Sequence, residues 1–120
     1  MISKLQNSIN KILVVGLGSI GKRHVRILRT LYPNIEIIVL RHNKCDDADI
    51  ALYALSSCVT AIEDALALQP DAAIIATPAT KHLETAKKLA NAGVHLLIEK
   101  PISATTTGVQ SLIDLCKKNR

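Results

Sequence analysis

The string Gly16-Leu17-Gly18-Ser19-Ile20-Gly21 lies between the apolar run Ile12-Leu13-Val14-Val15 and an amphipathic stretch. That order describes a strand, a tight turn and the start of a helix. The first glycine permits a sharp exit from the strand. The second leaves the backbone bare where a pyrophosphate must approach, and the third lets the helix lie close to the strand. The helix start offers unpaired N–H groups and a partial positive charge. Gly16, Gly18, Ser19, Ile20 and Gly21 are therefore the expected phosphate cradle. The string is weakly specific alone and gains meaning from its strand–turn–helix setting.

The rest of the chain keeps the same alternation. Residues 11–16 read as a first strand. Residues 20–31 read as a helix with the apolar stripe Ile20, Ile27, Leu28 and Leu31, and His24 takes a packing role on that stripe. Pro33 and Asn34 end it. Residues 35–40 are a second strand. Asp46 or Asp47 starts a short helix to about 56, and 57–59 form a short third strand. Thr60-Ala61-Ile62-Glu63 reads as a capping box that opens a helix to about Leu68. After a turn at 69–71, a fourth strand spans 72–76, and a helix runs from Thr80 to a terminating Gly93. A fifth strand at 94–98 and a last helix at 104–119, capped by Ser103, complete the order. Strands alternating with helices make right-handed βαβ units. The expected fold is thus α/β: a Rossmann-like, doubly wound parallel sheet of order 3-2-1-4-5 with helices on both faces. A dinucleotide would lie in the crevice between strands one and four, where the order reverses. No linker, repeat or low-complexity segment interrupts the chain. Residues 1–120 read as one domain, with 1–10 a polar N-terminal segment.

The core must be aliphatic, because the 120 residues include no Trp, no Phe and only two Tyr. That suits a parallel sheet covered on both faces. The net charge of +5 rests largely on Lys22, Arg23, Arg26 and Arg29 and on Lys117, Lys118 and Arg120. These read as solvated faces, since no aromatic residues interleave with them as a single-strand nucleic-acid binder needs. Nucleic acid is not an expected partner. Neither is a membrane, because no apolar run approaches the ~20 residues a spanning helix requires. Cys45, Cys58 and Cys116 are widely spaced, with no CxxC and no metal-ligand spacing. They read as reduced, partly buried thiols of a cytoplasmic protein without a metal, and residues 1–10 show no secretory pattern.

Residues 12–24, Asp71-Ala72-Ala73-Ile74-Ile75-Ala76-Thr77-Pro78, then His82, then Ile98-Glu99-Lys100-Pro101 follow in register. Together they resemble the glucose–fructose oxidoreductase/inositol dehydrogenase/MocA family over about residues 10–120, with Glu-Lys-Pro the most specific part. The resemblance implies the NAD(P)-binding domain of a two-domain oxidoreductase. Such enzymes move hydride between a nicotinamide and a carbon of a sugar, sugar derivative or cyclitol. Lys100 would then be catalytic, beside the nicotinamide and the substrate hydroxyl, where an ammonium stabilises alkoxide charge or helps move a proton. Ala76, Thr77 and Pro78 would line the cofactor, although Pro78 also suits a plain turn. His82 would face the crevice or else the helix surface. Glu99 would contact the nicotinamide side, brace Lys100 or be structural. Pro101 ends the strand, and the resemblance suggests a cis bond before it.

An acidic residue after the second strand commonly holds the adenosine ribose. Here that place reads Leu40-Arg41-His42-Asn43-Lys44, with no carboxylate. A basic group can accept a 2′-phosphate instead. Arg41 and His42 are thus expected cofactor contacts, and NADP is favoured over NAD. Arg41 stacking on adenine or pointing to solvent is the other reading. Family members continue into a substrate domain that supplies the pocket. The chain is therefore expected to be an excised cofactor domain, inactive alone, of a parent that is homo-oligomeric. Thr105-Thr106-Thr107-Gly108 departs from the usual pattern and weakens the last helix's start. The rival reading is a non-catalytic nucleotide-binding or sensor domain of the same fold.

Overall fold

The computed structural model describes residues 9–77, 79–98 and 108–118, with backbone alone at 79–81. The elements run β1 (Lys11–Val15), α1 (Ser19–Leu31), β2 (Glu36–Leu40), α2 (Asp47–Tyr53) and β3 (Ser57–Val59). They continue as α3 (Ile62–Ala67), β4 (Ala72–Ile75), α4 (Ala79–Asn91), β5 (His95–Ile98) and α5 (Val109–Lys118). All four strand pairings are parallel. The sheet order is β3-β2-β1-β4-β5, as the alternation of elements predicts.

Successive strand residues point to opposite faces, so each strand feeds two cores. One holds Ile12, Val14, Ile37 and Val39 against Val25 and Leu28 of α1 and Tyr53 of α2. The other holds Leu13, Val15, Ile38 and Ile75 against Ala65 of α3, Ala86 and Leu89 of α4 and Leu112 of α5. Beyond their first residues the central strands β1, β2 and β4 are apolar, because neither face of the sheet's centre meets water.

The expected stripe on α1 is displaced by about one position. Gly21, Val25 and Leu28 are buried, whereas Ile20, Ile27 and Leu31 are 44, 46 and 63% exposed. His24 is half-buried. The reason is the third glycine: it brings the helix nearest the sheet at Gly21, and burial recurs four and seven residues later. Gly93 does end α4. It lies at φ +81°, its N–H donates to Ala90 O at 3.0 Å, and Val94 N–H donates to Leu89 O at 3.1 Å. That is the Schellman pattern. The same pattern ends α2 at Ala54, a non-glycine at φ +51°, well before the expected end at 56. Thr60 is not a cap: α3 starts later, with Ala61 at its N-cap and no side-chain cap bond. Ser103 and residues 101–107 lie outside the described residues.

Two readings based on charge and spacing need correction. Arg29 does not belong to a solvated face. Its guanidinium donates to the carbonyls of Tyr53, Pro33, Ile35 and Ala54 at 2.7–3.1 Å, tying α1 to the end of α2. Cys45 and Cys58 are not free thiols: they form a disulfide, while Cys116 is free. The βαβ fold returns the chain from α2 into β3 alongside the segment that leaves β2, so residues 13 apart meet. Sequence spacing alone does not report that return.

Candidate functional site

A cleft of about 420 Å³ opens at the carboxyl ends of β1, β2, β3 and β4, where a doubly wound sheet reverses its order. Its volume is in the range of small-ligand sites. Gly16, Leu17 and Gly18 line it from the β1–α1 turn, and Arg41, His42 and Asn43 from the segment after β2. Thr60 and Ile62 follow β3, Ala76 and Thr77 follow β4, and Thr85 reaches in from α4. Backbone bonds set the strand ends around it. Gly16 N–H donates to Leu40 O at 2.8 Å, Ala76 N–H to Val15 O at 2.9 Å and Arg41 N–H to Val59 O at 3.1 Å.

The three glycines have separate structural reasons. Gly16 sits at φ +94°, and a Cβ there would lie 3.1 Å from Thr77 Cγ2 and 3.2 Å from the Ala76 carbonyl. Gly21 is more constrained, since a Cβ would come within 2.1 Å of Gly16 O. A Cβ on Gly18 would meet nothing within 4 Å, so that position opens directly onto free space. The first turn of α1 carries no acidic residue and no side-chain cap. Its N-terminal partial charge is therefore not offset from within the helix. Thr77 Oγ1 is buried and has no hydrogen-bond partner among the described residues. Such an orphan costs about 1–3 kcal/mol unless a ligand or water satisfies it. Among the described residues that line it there is no carboxylate, and Arg41 is the charged one. An open backbone cradle, an orphaned hydroxyl and a basic rim fit a phosphate-bearing dinucleotide.

The other expected site residues divide into three groups. Ser19 and Ile20 are exposed in the first turn of α1, and Gly21 is buried beneath the turn; none of the three lines the cleft. His82 is neither a crevice nor a surface residue. It is 1% exposed, and its Nε2 hydrogen-bonds the Thr77 carbonyl. A carbonyl only accepts, so Nε2 carries the proton, and the ring braces the β4–α4 turn. Pro78, Glu99, Lys100 and Pro101 lie outside the described residues, and so does the bond before Pro101. The sequence reading missed Thr60, Ile62, Asn43 and Thr85. Thr60 was legible from topology, because the residue after a strand in this arrangement faces the carboxyl-end crevice. Thr85 carried no local signal, since which face of α4 meets the cleft is set by packing. Among the described residues no group of three or more His, Cys, Asp or Glu is placed to hold a metal ion. No helix among them is long and apolar enough to cross a membrane.

A family model described as "Oxidoreductase family, NAD-binding Rossmann fold" (GFO_IDH_MocA) matches residues 10–120. UDP-N-acetylglucosamine 3-dehydrogenase of Acidithiobacillus ferrooxidans is 31% identical over 107 residues, covering 88% of this chain and 33% of that protein. Among solved structures, the WlbA dehydrogenase from Bordetella pertussis, in complex with NADH and UDP-GlcNAcA, superposes with a TM-score of 0.81. It is 24% identical and is matched over 92% of this chain and 35% of its own. A scyllo-inositol dehydrogenase from Lactobacillus casei, with bound NAD(H) and scyllo-inositol, gives a TM-score of 0.78. It is 22% identical, over 92% of this chain and 34% of its own. The chain thus spans about a third of the length of the relatives it matches. It belongs to the Gfo/Idh/MocA oxidoreductase family and has that family's NAD-binding Rossmann fold.

Proposed function

We propose that the cleft binds a nicotinamide dinucleotide, with NADP(H) preferred, as the cofactor half of a dehydrogenase acting on a sugar, nucleotide sugar or cyclitol. The observation that carries this reading is the bare space above Gly18, in a cleft whose described rim residues include Arg41 and no carboxylate. The main-chain N–H groups of the turn and the start of α1 would hold the pyrophosphate. Arg41, with His42 beside it, would take the 2′-phosphate, which a carboxylate at that place would repel. Thr60 and Ile62 would border the adenosine, and Thr77 Oγ1 would supply a hydrogen bond farther along the cofactor. His82 holds the Thr77 carbonyl and so fixes that turn without touching the ligand.

When bound, the cofactor supplies a two-electron hydride acceptor or donor. The family resemblance gives Lys100 the proton side of the reaction: as an ammonium it would hold the substrate oxygen and give up a proton there, and as a neutral amine it would take one. The substrate, its pocket and a homo-oligomeric assembly belong to the longer protein. The substrate class follows two of the relatives, one named for a nucleotide sugar and one that carries a cyclitol. A cytoplasmic location is part of this reading. The Cys45–Cys58 disulfide sets a condition on it, because disulfides are rare in that compartment and those that form there are usually transient and redox-responsive.

Titration of the chain with NADPH and NADH, followed by nicotinamide fluorescence, tests the cofactor assignment. NADPH binds more tightly in this reading, and Arg41→Asp reverses the order by adding a repulsion. Failure of both dinucleotides to bind a well-folded chain overturns the reading. Equal affinities, unchanged by Arg41→Asp, overturn the role of Arg41.

A further inference from the structure

We propose that the Cys45–Cys58 disulfide is a redox-sensitive clasp on the adenosine end of the cleft, so that a dithiol reductant weakens dinucleotide binding. The proposal rests on the cofactor reading above. Between the end of β2 and the start of α2, residues 41–46 have irregular backbone. That segment supplies Arg41, His42 and Asn43 to the cleft wall. Its first residue is anchored through Arg41 N–H to Val59 O at 3.1 Å. Its far end is anchored by Cys45, which is covalently joined to Cys58. Cys58 is a β3 residue in parallel register with Val39. Both anchors therefore fall on β3, one by hydrogen bond and one by disulfide. The three cleft residues are strung between them.

The exposure of the two cysteines suits reversible chemistry. Cys45 is buried, with 9% exposure, in the core beside Tyr53 and Leu55. Cys58 is only half-buried, on the strand at the edge of the sheet. An external dithiol attacks one sulfur as a thiolate, forms a mixed disulfide and releases the other cysteine. Its second thiol then displaces the remaining cysteine. Two electrons and two protons pass from the dithiol, which leaves as its own disulfide, to give two cysteine thiols. The core on that face persists, but the segment carrying Arg41 loses its covalent hold on β3. Ordering that segment then falls to the ligand, and affinity drops accordingly.

The test compares air-oxidised and dithiothreitol-treated chain in a Cys116→Ser background, which removes the free thiol. Mass spectrometry after alkylation counts the thiols. NADPH and NADH titrations report binding, and amide hydrogen exchange reports residues 41–46. Reduction is expected to raise the NADPH Kd by roughly three- to tenfold. It should also speed exchange in 41–46 while leaving β1 and β4 protected, and reoxidation should reverse both changes. The Cys45→Ser/Cys58→Ser variant should bind like the reduced chain and ignore dithiothreitol. A merely structural bond would lower the melting temperature without this localised exchange or a change in affinity. Equal NADPH affinity in both redox states overturns the clasp and leaves the cofactor reading intact. Absence of saturable binding in either state overturns the cofactor reading, and the clasp with it.

Discussion

The two walls of the cleft are held by different kinds of bond. On the β1–α1 side the main chain holds itself. Gly16 turns at φ +94°, its N–H is fixed on Leu40 O, and Gly21 packs against Gly16 O so closely that no side chain fits. On the β2–α2 side, side chains from elsewhere hold the backbone: Cys58 secures Cys45, and Arg29 secures the carbonyls of Tyr53 and Ala54 at the end of α2. A wall held by main-chain packing has one solution and fails by collapse. A wall held by side chains can be loosened in steps. In the proposed cofactor reading, the first suits a part that would meet an invariant pyrophosphate, and the second suits the part that would distinguish one ribose from another.

The harshest way to break this contrast is Gly21→Ala. With Gly16 O 2.1 Å from the new Cβ, the turn must move, and a loss of about 3 kcal/mol or more in urea unfolding is expected. A loss near zero would mean that the first wall is not built by main-chain packing. Arg29→Ala attacks the second wall from behind. It strips a cation from four carbonyls and should lower stability by about 2–3 kcal/mol. Arg29→Lys should recover only part, because an ammonium cannot reproduce the planar fork.

Gly18→Ala sharpens the comparison by separating fold from function. Its Cβ meets no protein atom, so unfolding should shift by no more than about 1 kcal/mol, the scale of an altered N-cap. The same methyl occupies the proposed phosphate path, and NADPH affinity should fall tenfold or more, about 1.4 kcal/mol. Unchanged affinity would place the pyrophosphate elsewhere. The smallest expected effect is a gain. Ala54 closes α2 at φ +51°, a conformation glycine adopts more readily. Ala54→Gly should therefore stabilise the chain by about 0.5–1 kcal/mol, read as a small rise in melting temperature.

These regions also differed in how far they could be read in advance. The glycine turn was legible because its whole logic lies within six consecutive residues flanked by an apolar run. The purpose of Gly21 was foreseen in kind but not in partner, which is the turn's own carbonyl rather than the strand. Arg41 and His42 were legible as rim residues because their place follows from the end of β2. The support behind them was not legible. Arg29 looked like one more helix cation, and Cys45 and Cys58 looked like unrelated thiols, because nothing local distinguishes a side chain that will meet a distant partner. His82 was expected in the crevice or on the helix surface, yet burial turned it into a brace for Thr77.

By itself, the sequence determined the parallel sheet and narrowed its order. Apolar runs separated by amphipathic segments are buried by layering helices on both faces, and right-handed crossovers leave a handful of strand orders, of which 3-2-1-4-5 was the one expected. It also determined the glycine cradle, because backbone conformation and close approach are local demands. The tertiary structure alone decided which stripe of α1 is buried, that Thr60 does not cap α3, and that Cys45 meets Cys58. Each of these depends on how far one element slides or rotates against another. That quantity is set by the summed packing of both cores, and no short stretch of residues encodes it.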